Sequence, residues 1–246
     1  CWHCHMGVGA FPWQVAVRHN IPLMIFGESA AENSCKASYE ELQEFDRDYF
    51  LRISAKVPTE DFACEYLPLR DLAPFQLPSY EDIVDNGVIA LHLGNYVFWD
   101  GERQTEILRD RYGWNEDIVE GTYKRYKSVE CIMPGIHDYT KFLKRGYGRG
   151  TDFAAQDLRA GLITREEANQ IIREHDPMEP KILDYYLEIT GYSREKFYSI
   201  MDVQREKIGI LTSEEIKAAI EDCQVKFGVK NDSVEQPIAI KDDADK

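Results

Sequence analysis

The amino-acid sequence predicts an α/β fold, in which part of a parallel sheet is followed by a mostly helical carboxy-terminal region. Residues 21–26 and 87–93 are short, continuous apolar runs, which is typical of parallel strands that are buried on both faces. Later in the chain, apolar residues recur at helical spacing instead. We therefore expect an α/β domain over 1–115, a helical region over 116–228 and a flexible acidic tail over 229–246.

Helix signals surround the two apolar runs. Pro12 indicates the first turn of a helix, because proline lacks the N–H group that an interior position needs. Residues 38–41 form a Ser-Tyr-Glu-Glu capping box for a helix that should continue through residue 53. Residues 57–78 are rich in proline and predict a connection with short helical pieces. Residues 102–112 return to a helical pattern.

Six more helices are predicted in the second half of the chain. Two of them begin with capping boxes, Thr-Arg-Glu-Glu at 164–167 and Thr-Ser-Glu-Glu at 212–215. The six predicted ranges are 137–144, 152–160, 164–175, 181–190, 194–204 and 212–227.

The charge of the chain limits its possible partners. It carries 44 acidic and 29 basic residues, which gives a formal net charge of −15. Such a surface repels phosphate backbones, which argues against a nucleic-acid-binding protein but leaves room for a local basic pocket. No apolar run reaches the roughly 18 residues of a membrane helix, so we expect no membrane partner. A CxxC pair in a chain with α/β patterning indicates a reducing cytosol, so we expect a cytoplasmic protein.

The first five residues, Cys-Trp-His-Cys-His, contain four possible ligands for a soft metal ion. Cys1 and Cys4 at CxxC spacing should lie on one side of a tight turn, where they can share one ion. Zn²⁺ with His5 is one possible site, and an iron–sulfur cluster with the remote Cys131 is another. Two buried thiols without a metal are the third alternative.

Glu28 directly follows the first predicted strand. It should therefore lie at the carboxyl end of that strand, the edge at which open α/β sheets bind ligands. A carboxylate there can hold Mg²⁺ or a ribose hydroxyl, or orient a nucleophile. A helix cap or a salt bridge is an equal alternative.

Residues 144–152, Lys-Arg-Gly-Tyr-Gly-Arg-Gly-Thr-Asp, are rich in cations and glycine. Arginine recognises phosphate or carboxylate, and glycine lets the backbone approach a ligand closely. Thr151 or Asp152 could cap the next helix, whose amino terminus would favour an anion. Arg159 and Arg165 could extend the basic pocket. The alternative is a solvated loop whose glycines end the preceding helix.

The pair His137-Asp138 stands at the start of the first of these six helices. Such a pair can act in acid–base chemistry. A single histidine before a helix is more often structural, so the sequence leaves both interpretations open.

Seven short motifs occur together along the chain. They are Cys-Trp-His-Cys-His at 1–5, Ile-Pro-Leu-Met-Ile-Phe-Gly-Glu at 21–28, Tyr-Gly-Trp at 112–114, Gly-Thr-Tyr at 121–123, Lys-Arg-Gly-Tyr-Gly-Arg at 144–149, Asp-Leu-Arg-Ala-Gly at 157–161 and Thr-Arg-Glu-Glu-Ala at 164–168. In this order and spacing they resemble the N-acetyl sugar amidotransferases, PP-loop ATPases of bacterial surface-polysaccharide and nonulosonic acid synthesis.

The resemblance implies a PP-loop ATPase domain of the HUP type and a two-step reaction with ATP and Mg²⁺. ATP would adenylate the oxygen of an N-acetyl group. Ammonia from a class I glutaminase partner would then displace AMP and convert acetamido to acetamidino. The substrate would be a nucleotide-sugar or a nonulosonic acid such as pseudaminic acid, used in O-antigen and lipopolysaccharide synthesis.

The resemblance also suggests roles for individual residues. Glu28, Lys144 and Arg149 would be catalytic, close to the nucleotide or to the departing pyrophosphate. The substrate would be bound by Arg145, Gly146, Gly148, Asp152, Arg159 and Arg165. The family's ATP loop, of the Ser-Gly-Gly-Lys-Asp-Ser type, does not occur in these 246 residues. We therefore expect an amino-terminally truncated sequence that does not hydrolyse ATP by itself.

Two other functions are compatible with the residues. One is a PP-loop enzyme that inserts sulfur into tRNA through a cysteine-ligated cluster, although the acidic charge argues against a tRNA partner. The other is a non-catalytic, metal-stabilised module that binds a partner.

Overall fold

The computed structural model confirms the predicted fold class, with a small parallel sheet in the first part of the chain and helices in the second. It describes residues 2–27, 50–51, 57–97 and 100–227. The chain divides into two compact units, with the boundary between Gln104 and Thr105. The predicted tail and most of the helix predicted over 38–53 lie outside the described residues.

The first unit pairs two short strands in parallel. They are β1 (Leu23–Phe26) and β2 (Ile89–His92), and they confirm the strands predicted from the apolar runs. One face of the pair packs into the core of the unit through Met24 and Ala90. The prediction that both faces are covered was wrong for the opposite face, because Ile25 is 59% exposed there.

Helices accompany these strands in the first unit. The α-helices are α1 (Trp2–His19), α2 (Tyr80–Asp85) and α3 (Gly101–Tyr112), of which α3 continues across the boundary. Short 3-10 helices lie at Thr59–Phe62, Leu69–Phe75 and Leu93–Asn95. The segment predicted over 57–78 therefore does contain short helical pieces.

Helix α1 begins earlier than the sequence suggested. Pro12 lies inside this helix rather than in its first turn, and Cys4 belongs to the helix rather than to a tight turn. The physical reason is packing, because Met6, Trp13 and Ala16 recur at helical spacing and are at most 2% exposed. Burial of this face outweighs the cost of an interior proline.

Gly9 brings α1 into close contact with Phe50. A Cβ atom on Gly9 would lie 1.8 Å from the Phe50 ring, and Phe50 itself is only 2% exposed. The core around this contact consists of Met6, Trp13, Ala16, Phe50, Ile83, Val88 and Ala90. A glycine at this position is therefore required by the packing of the ring.

The six helices predicted for the second unit are all present, with ends within four residues of the predicted ones. They are α4 (Pro134–Arg145), α5 (Arg149–Arg159), α6 (Arg165–His175), α7 (Ile182–Thr190), α8 (Arg194–Ile208) and α9 (Ser213–Phe227). Both predicted capping boxes are confirmed. At the first, the Glu167 N–H donates to Thr164 Oγ1 over 3.2 Å, and the Thr164 N–H donates to the Glu167 carboxylate over 2.7 Å.

Helix α4 contributes most of the core of the second unit. It packs against α8 and α7, and its buried face meets one residue of each partner helix at the centre. The buried members are Ile136, Tyr139, Phe142, Leu143, Leu183, Phe197 and Ile216. In the part of the chain that the structure describes, no helix has both the length and the apolarity needed to cross a membrane.

Candidate functional site

The cationic segment 144–152 connects α4 with α5. Lys144 and Arg145 occupy the last turn of α4, where positive charge interacts favourably with the carboxyl end of a helix. Gly146 follows with a positive φ of 76°, and its N–H donates to Phe142 O over 2.7 Å. Gly146 therefore ends the helix, as the structural alternative predicted. Burial, helped by the charge of Arg145, lowers the pKa of Lys144.

A carboxylate of the chain itself occupies the amino terminus of α5. The Gly148 N–H donates to Asp176 Oδ2 over 2.8 Å, and both the N–H and the hydroxyl of Thr151 donate to the same carboxylate. Burial raises the pKa of Asp176, although these hydrogen bonds act in the opposite direction. The prediction that Thr151 or Asp152 caps α5 was wrong, since the cap position is Gly148.

Two glycines allow Asp176 to reach this position. A Cβ atom on Gly148 or on Gly150 would lie 2.7 Å from Asp176 Oδ1. The glycines thus let the backbone approach an anionic group, but this group is an aspartate side chain from the end of α6. The roles of Gly146 and Gly148 in substrate binding stay predictions.

The Asp152 side chain contacts helix α4. Its carboxylate forms an ion pair with Lys141, whose ammonium group also lies 4.7 Å from the centre of the Tyr147 ring. The two contacts connect α4, Tyr147 of the cationic segment and α5. Asp152 is therefore engaged within the fold, and its predicted contact with substrate stays a prediction.

Arg149 compensates a buried carboxylate. Its Nε lies 2.9 Å from Asp138 Oδ2, and its Nη1 donates to Ser128 Oγ over 2.6 Å. Asp138 is only 4% exposed, so this charged partner offsets part of the cost of removing the carboxylate from water. Arg149 keeps about a fifth of its side-chain surface, 21%, in contact with solvent.

His137 lies on the other side of the same carboxylate. Its Nδ1 is 2.9 Å from Asp138 Oδ1, while its side chain is 49% exposed. Asp138 thus bridges a half-exposed imidazole and a mostly buried guanidinium group. We call His137, Asp138 and Arg149 the dyad cluster, after the His137–Asp138 pair that it contains. It is the place where the structure brings a predicted site residue together with groups that can exchange a proton.

A second cation lies beside Arg149. The Lys127 ammonium group is 5.7 Å from the centre of the Phe153 ring, which is one turn along α5 from Arg149. Burial and the positive charge of Arg149 both lower the pKa of Lys127. Positive charge is therefore concentrated next to the dyad cluster, and an anionic ligand there would relieve the repulsion between the two cations.

A buried ion pair holds the preceding segment against α5. Lys124 Nζ lies 2.9 Å from Asp157 Oδ2, with 10% and 13% of the two side chains exposed. The Tyr123 hydroxyl donates to the same oxygen over 2.6 Å. This anchor fixes the chain just before Lys127 and Ser128, and so it helps to position both beside Arg149.

The remaining predicted site residues are dispersed. Arg145 is exposed at the end of α4, Arg159 is exposed at the end of α5, and Arg165 is exposed at the start of α6. Glu28 and Cys1 lie outside the described residues. The proposed catalytic and binding roles of all five therefore stay predictions.

The described residues do not assemble a metal site. Cys4 and His5 are exposed on α1, and Cys131 is exposed in the second unit, where its sulfur accepts a hydrogen bond from the Met133 N–H. Within the described ranges, no three His, Cys, Asp or Glu side chains come close enough to hold an ion. Cys1, the remaining predicted ligand, lies outside the described residues, so the predicted zinc or iron–sulfur site stays a prediction.

Sequence reasoning missed three of the residues that organise this region, namely Lys127, Ser128 and Asp176. Ser128 has a positive φ of 60°, which is uncommon outside glycine and carries no local sequence signal. Asp176 follows a helix whose start was predicted correctly, but its partners lie 25 and 28 residues earlier. Long-range pairing of this kind is invisible to local patterns.

Most of the second unit is similar to a domain of lipopolysaccharide biosynthesis proteins. Residues 120–221 match the family model described as "LPS biosynthesis protein WbpG-like, C-terminal domain". The match includes the dyad cluster and the whole glycine-rich segment, and it covers less than half of the chain. No curated protein shows a significant match.

Proposed function

We propose that this chain is part of an ATP-dependent sugar amidotransferase that converts an acetamido group to an acetamidino group in lipopolysaccharide synthesis. The observation that carries the proposal is the similarity of residues 120–221 to a domain of LPS biosynthesis proteins. The same region holds four of the seven motifs that resemble N-acetyl sugar amidotransferases, from Gly-Thr-Tyr at 121–123 to Thr-Arg-Glu-Glu-Ala at 164–168.

The charge distribution of this region supports an anionic substrate. The chain as a whole is strongly acidic, yet Lys127, Lys144, Arg145 and Arg149 gather around the end of α4 and the start of α5. A nucleotide-sugar or a nonulosonic acid carries phosphate or carboxylate groups that such cations bind. Arg145 is the most accessible of them, while Arg149 is held by Asp138 and would act from a fixed position.

In this reaction, the protein would supply positioning and charge stabilisation. An amide oxygen is a poor leaving group until it is adenylated, and fixed cations stabilise the negative charge that develops on the phosphates. ATP with Mg²⁺, a class I glutaminase as the source of ammonia and a nucleotide role for Glu28 belong to the proposal. Lys144 and Arg149 are its cationic catalytic residues.

The proposal is tested with the complete open reading frame of the gene. We expect AMP formation that requires both ammonium and an acetamido sugar, with a product in which one oxygen is replaced by NH, as mass spectrometry would show. AMP without amidine would indicate a different nucleotide-dependent reaction. Absence of both would overturn the proposal.

Arg145→Ala tests the cationic surface without removing a buried ion pair. Loss of one charged contact to the substrate should raise KM about tenfold, which corresponds to 1.4 kcal/mol. The matched control is Arg173→Ala, an exposed arginine on α6 whose Nε donates to Asn169 O within its own helix. Equal KM values for both variants and the wild type would remove Arg145 from the substrate site.

A further inference from the structure

The contacts of the dyad cluster determine which ring nitrogen of neutral His137 carries the proton. Asp138 is buried, its Oδ1 lies within hydrogen-bond distance of His137 Nδ1 at 2.9 Å, and its Oδ2 forms an ion pair with Arg149 Nε at 2.9 Å. A carboxylate in this position is an acceptor, so the proton of the neutral imidazole lies on Nδ1. The lone pair of the neutral ring is then on Nε2.

His137 combines this fixed tautomer with access to solvent. Its side chain is 49% exposed, and it contacts the buried Asp138 carboxylate through Nδ1. A structural histidine is usually bound through both nitrogens or buried. An imidazole that is held at one nitrogen by a buried carboxylate, with about half of its side chain exposed to solvent, has the arrangement of a general base.

We propose that His137 Nε2 is the proton acceptor in the amination step of the proposed reaction, with Asp138 as its positioning residue. This inference rests on the proposed function of the chain. The similarity to the WbpG-like domain and the motif resemblance assign no role to either residue.

The chemistry of the step requires such an acceptor. Ammonia attacks the carbon of the protonated, O-adenylated acetamido group, a C–N bond forms, and the C=N π electrons return to the sugar nitrogen. The new substituent is then an ammonium group. If AMP left at this stage, the amidine would carry two positive charges. His137 Nε2 takes one proton from this nitrogen, and the C–O bond to AMP then breaks.

The products balance after that transfer. The electron pair of the broken C–O bond leaves on the AMP phosphate oxygen, and the sugar keeps a singly charged amidinium group. The imidazolium formed on His137 is stabilised by Asp138 and returns its proton to water through its exposed edge. The step needs no oxidant and no metal ion.

The decisive variant is His137→Ala, assayed in the complete protein. We expect amidine formation to fall about 100-fold, within the usual contribution of a general base. Sugar-dependent exchange of pyrophosphate into ATP should stay at the wild-type level, because adenylation precedes the proton transfer. Added imidazole should restore part of the lost rate. His19→Ala, at an exposed histidine of the first unit, is the matched control and should change neither activity.

The outcomes separate this inference from the proposed function. If the wild type forms no amidine, the proposed function fails, and the role of His137 fails with it. If the wild type forms amidine and His137→Ala forms it equally fast, only the proton-acceptor role is overturned. Equal loss of pyrophosphate exchange and amidine, without imidazole rescue, would also overturn it and would indicate a structural histidine.

Asp138→Asn tests the positioning role by a spectroscopic signature. The asparagine amide can donate to Nδ1, so the His137 ring should change from the Nδ1–H to the Nε2–H tautomer, which nitrogen-15 NMR of the ring detects directly. With its lone pair moved to Nδ1, the variant should lose kcat at unchanged KM. An unaltered tautomer together with an unaltered kcat would remove Asp138 from the mechanism.

Discussion

The two units of this chain use different means to organise their interiors. The first unit relies on apolar packing, and its central contact places the Phe50 ring directly against Gly9. The second unit has an apolar core as well, but carboxylates and cations inside it fix the geometry around α5. Asp138, Asp157 and Asp176 are each at most 9% exposed.

The difference extends to the surface. In the first unit, Leu23, Ile25 and Ile89 leave the outer face of the β1–β2 pair apolar and about half exposed, at 48%, 59% and 59%. In the second unit, the surface next to the core carries the cations around the end of α4. Buried charge therefore fixes local geometry in the second unit, whereas Leu23, Ile25 and Ile89 on the exposed strand face of the first unit carry no charge.

Breaking one charge pair of the second unit should have the largest effect. Lys124→Met removes the cation that pairs with the buried Asp157 carboxylate, which should lower the free energy of unfolding by about 3 kcal/mol. Urea denaturation measures this loss. The double variant Lys124→Met/Asp157→Leu should recover most of it, because no unpaired charge is left. A double variant as unstable as the single one would contradict this account.

The matching test in the first unit is Gly9→Ala. The new methyl group would overlap the Phe50 ring, so we expect a loss of about 2 kcal/mol in urea denaturation, even though alanine favours helices. Gly7→Ala is the control within α1, since its Cβ would meet Phe75 at an ordinary 3.4 Å. The control should gain about 0.5–1 kcal/mol. Equal effects at both positions would mean that the Phe50 contact does not limit the packing.

Removing the long-range helix cap should have a similar or slightly smaller effect. Asp176→Ala leaves the Gly148 and Thr151 N–H groups without their acceptor, at a cost of about 2 kcal/mol. Amide hydrogen exchange should locate the loss of protection in the first turn of α5. Unchanged exchange in that turn would show that another group takes over the cap.

The pH dependence of the same residue gives a finer test. Burial raises the pKa of Asp176, so the folded chain binds this proton more tightly than the unfolded chain. The contribution of this group to stability is therefore present below the unfolded pKa and is lost as pH rises through the folded pKa. The free energy of unfolding of the wild type should therefore fall, relative to that of Asp176→Asn, as pH rises above the usual range of an aspartate carboxyl. A wild-type value that rises relative to the variant over this range would reverse this assignment.

Ile25→Thr should have the smallest effect. On a half-exposed strand position the change should stay within about 0.5 kcal/mol in urea denaturation. Val88→Thr is the buried comparison in the same unit and should cost more, because its hydroxyl would enter the core. If Ile25→Thr costs as much as Val88→Thr in the complete protein, the strand face is covered there.

Local signals explain which parts of the fold could be predicted. The capping boxes at Thr164 and Thr212 act over three residues, so the sequence places those helix starts within one residue. The apolar runs of β1 and β2 are similarly local. The start of α1 could not be placed, because burial of Met6 and Trp13 overrides the local preference of Pro12.

The candidate site shows the opposite situation. The sequence identified the cations and glycines of 144–152, but it could not identify their partners. Asp176 binds the amino terminus of α5, and Glu120 accepts from Lys181 N over 2.7 Å at the start of α7, across 61 residues. Both pairs depend on the three-dimensional arrangement of the helices. For this reason, the sequence could not distinguish a glycine segment that binds substrate from one that binds the chain's own aspartate.

The position of Asp176 also has a consequence for the order in which the protein is made. Chains emerge from the ribosome from the amino terminus, at about 5–20 residues per second. Helix α5 is complete at Arg159, but the aspartate that binds its first turn is synthesised only after α6. The first turn of nascent α5 can therefore be capped only after α6 has been synthesised. The placement of Arg149 against Asp138 depends on the same event.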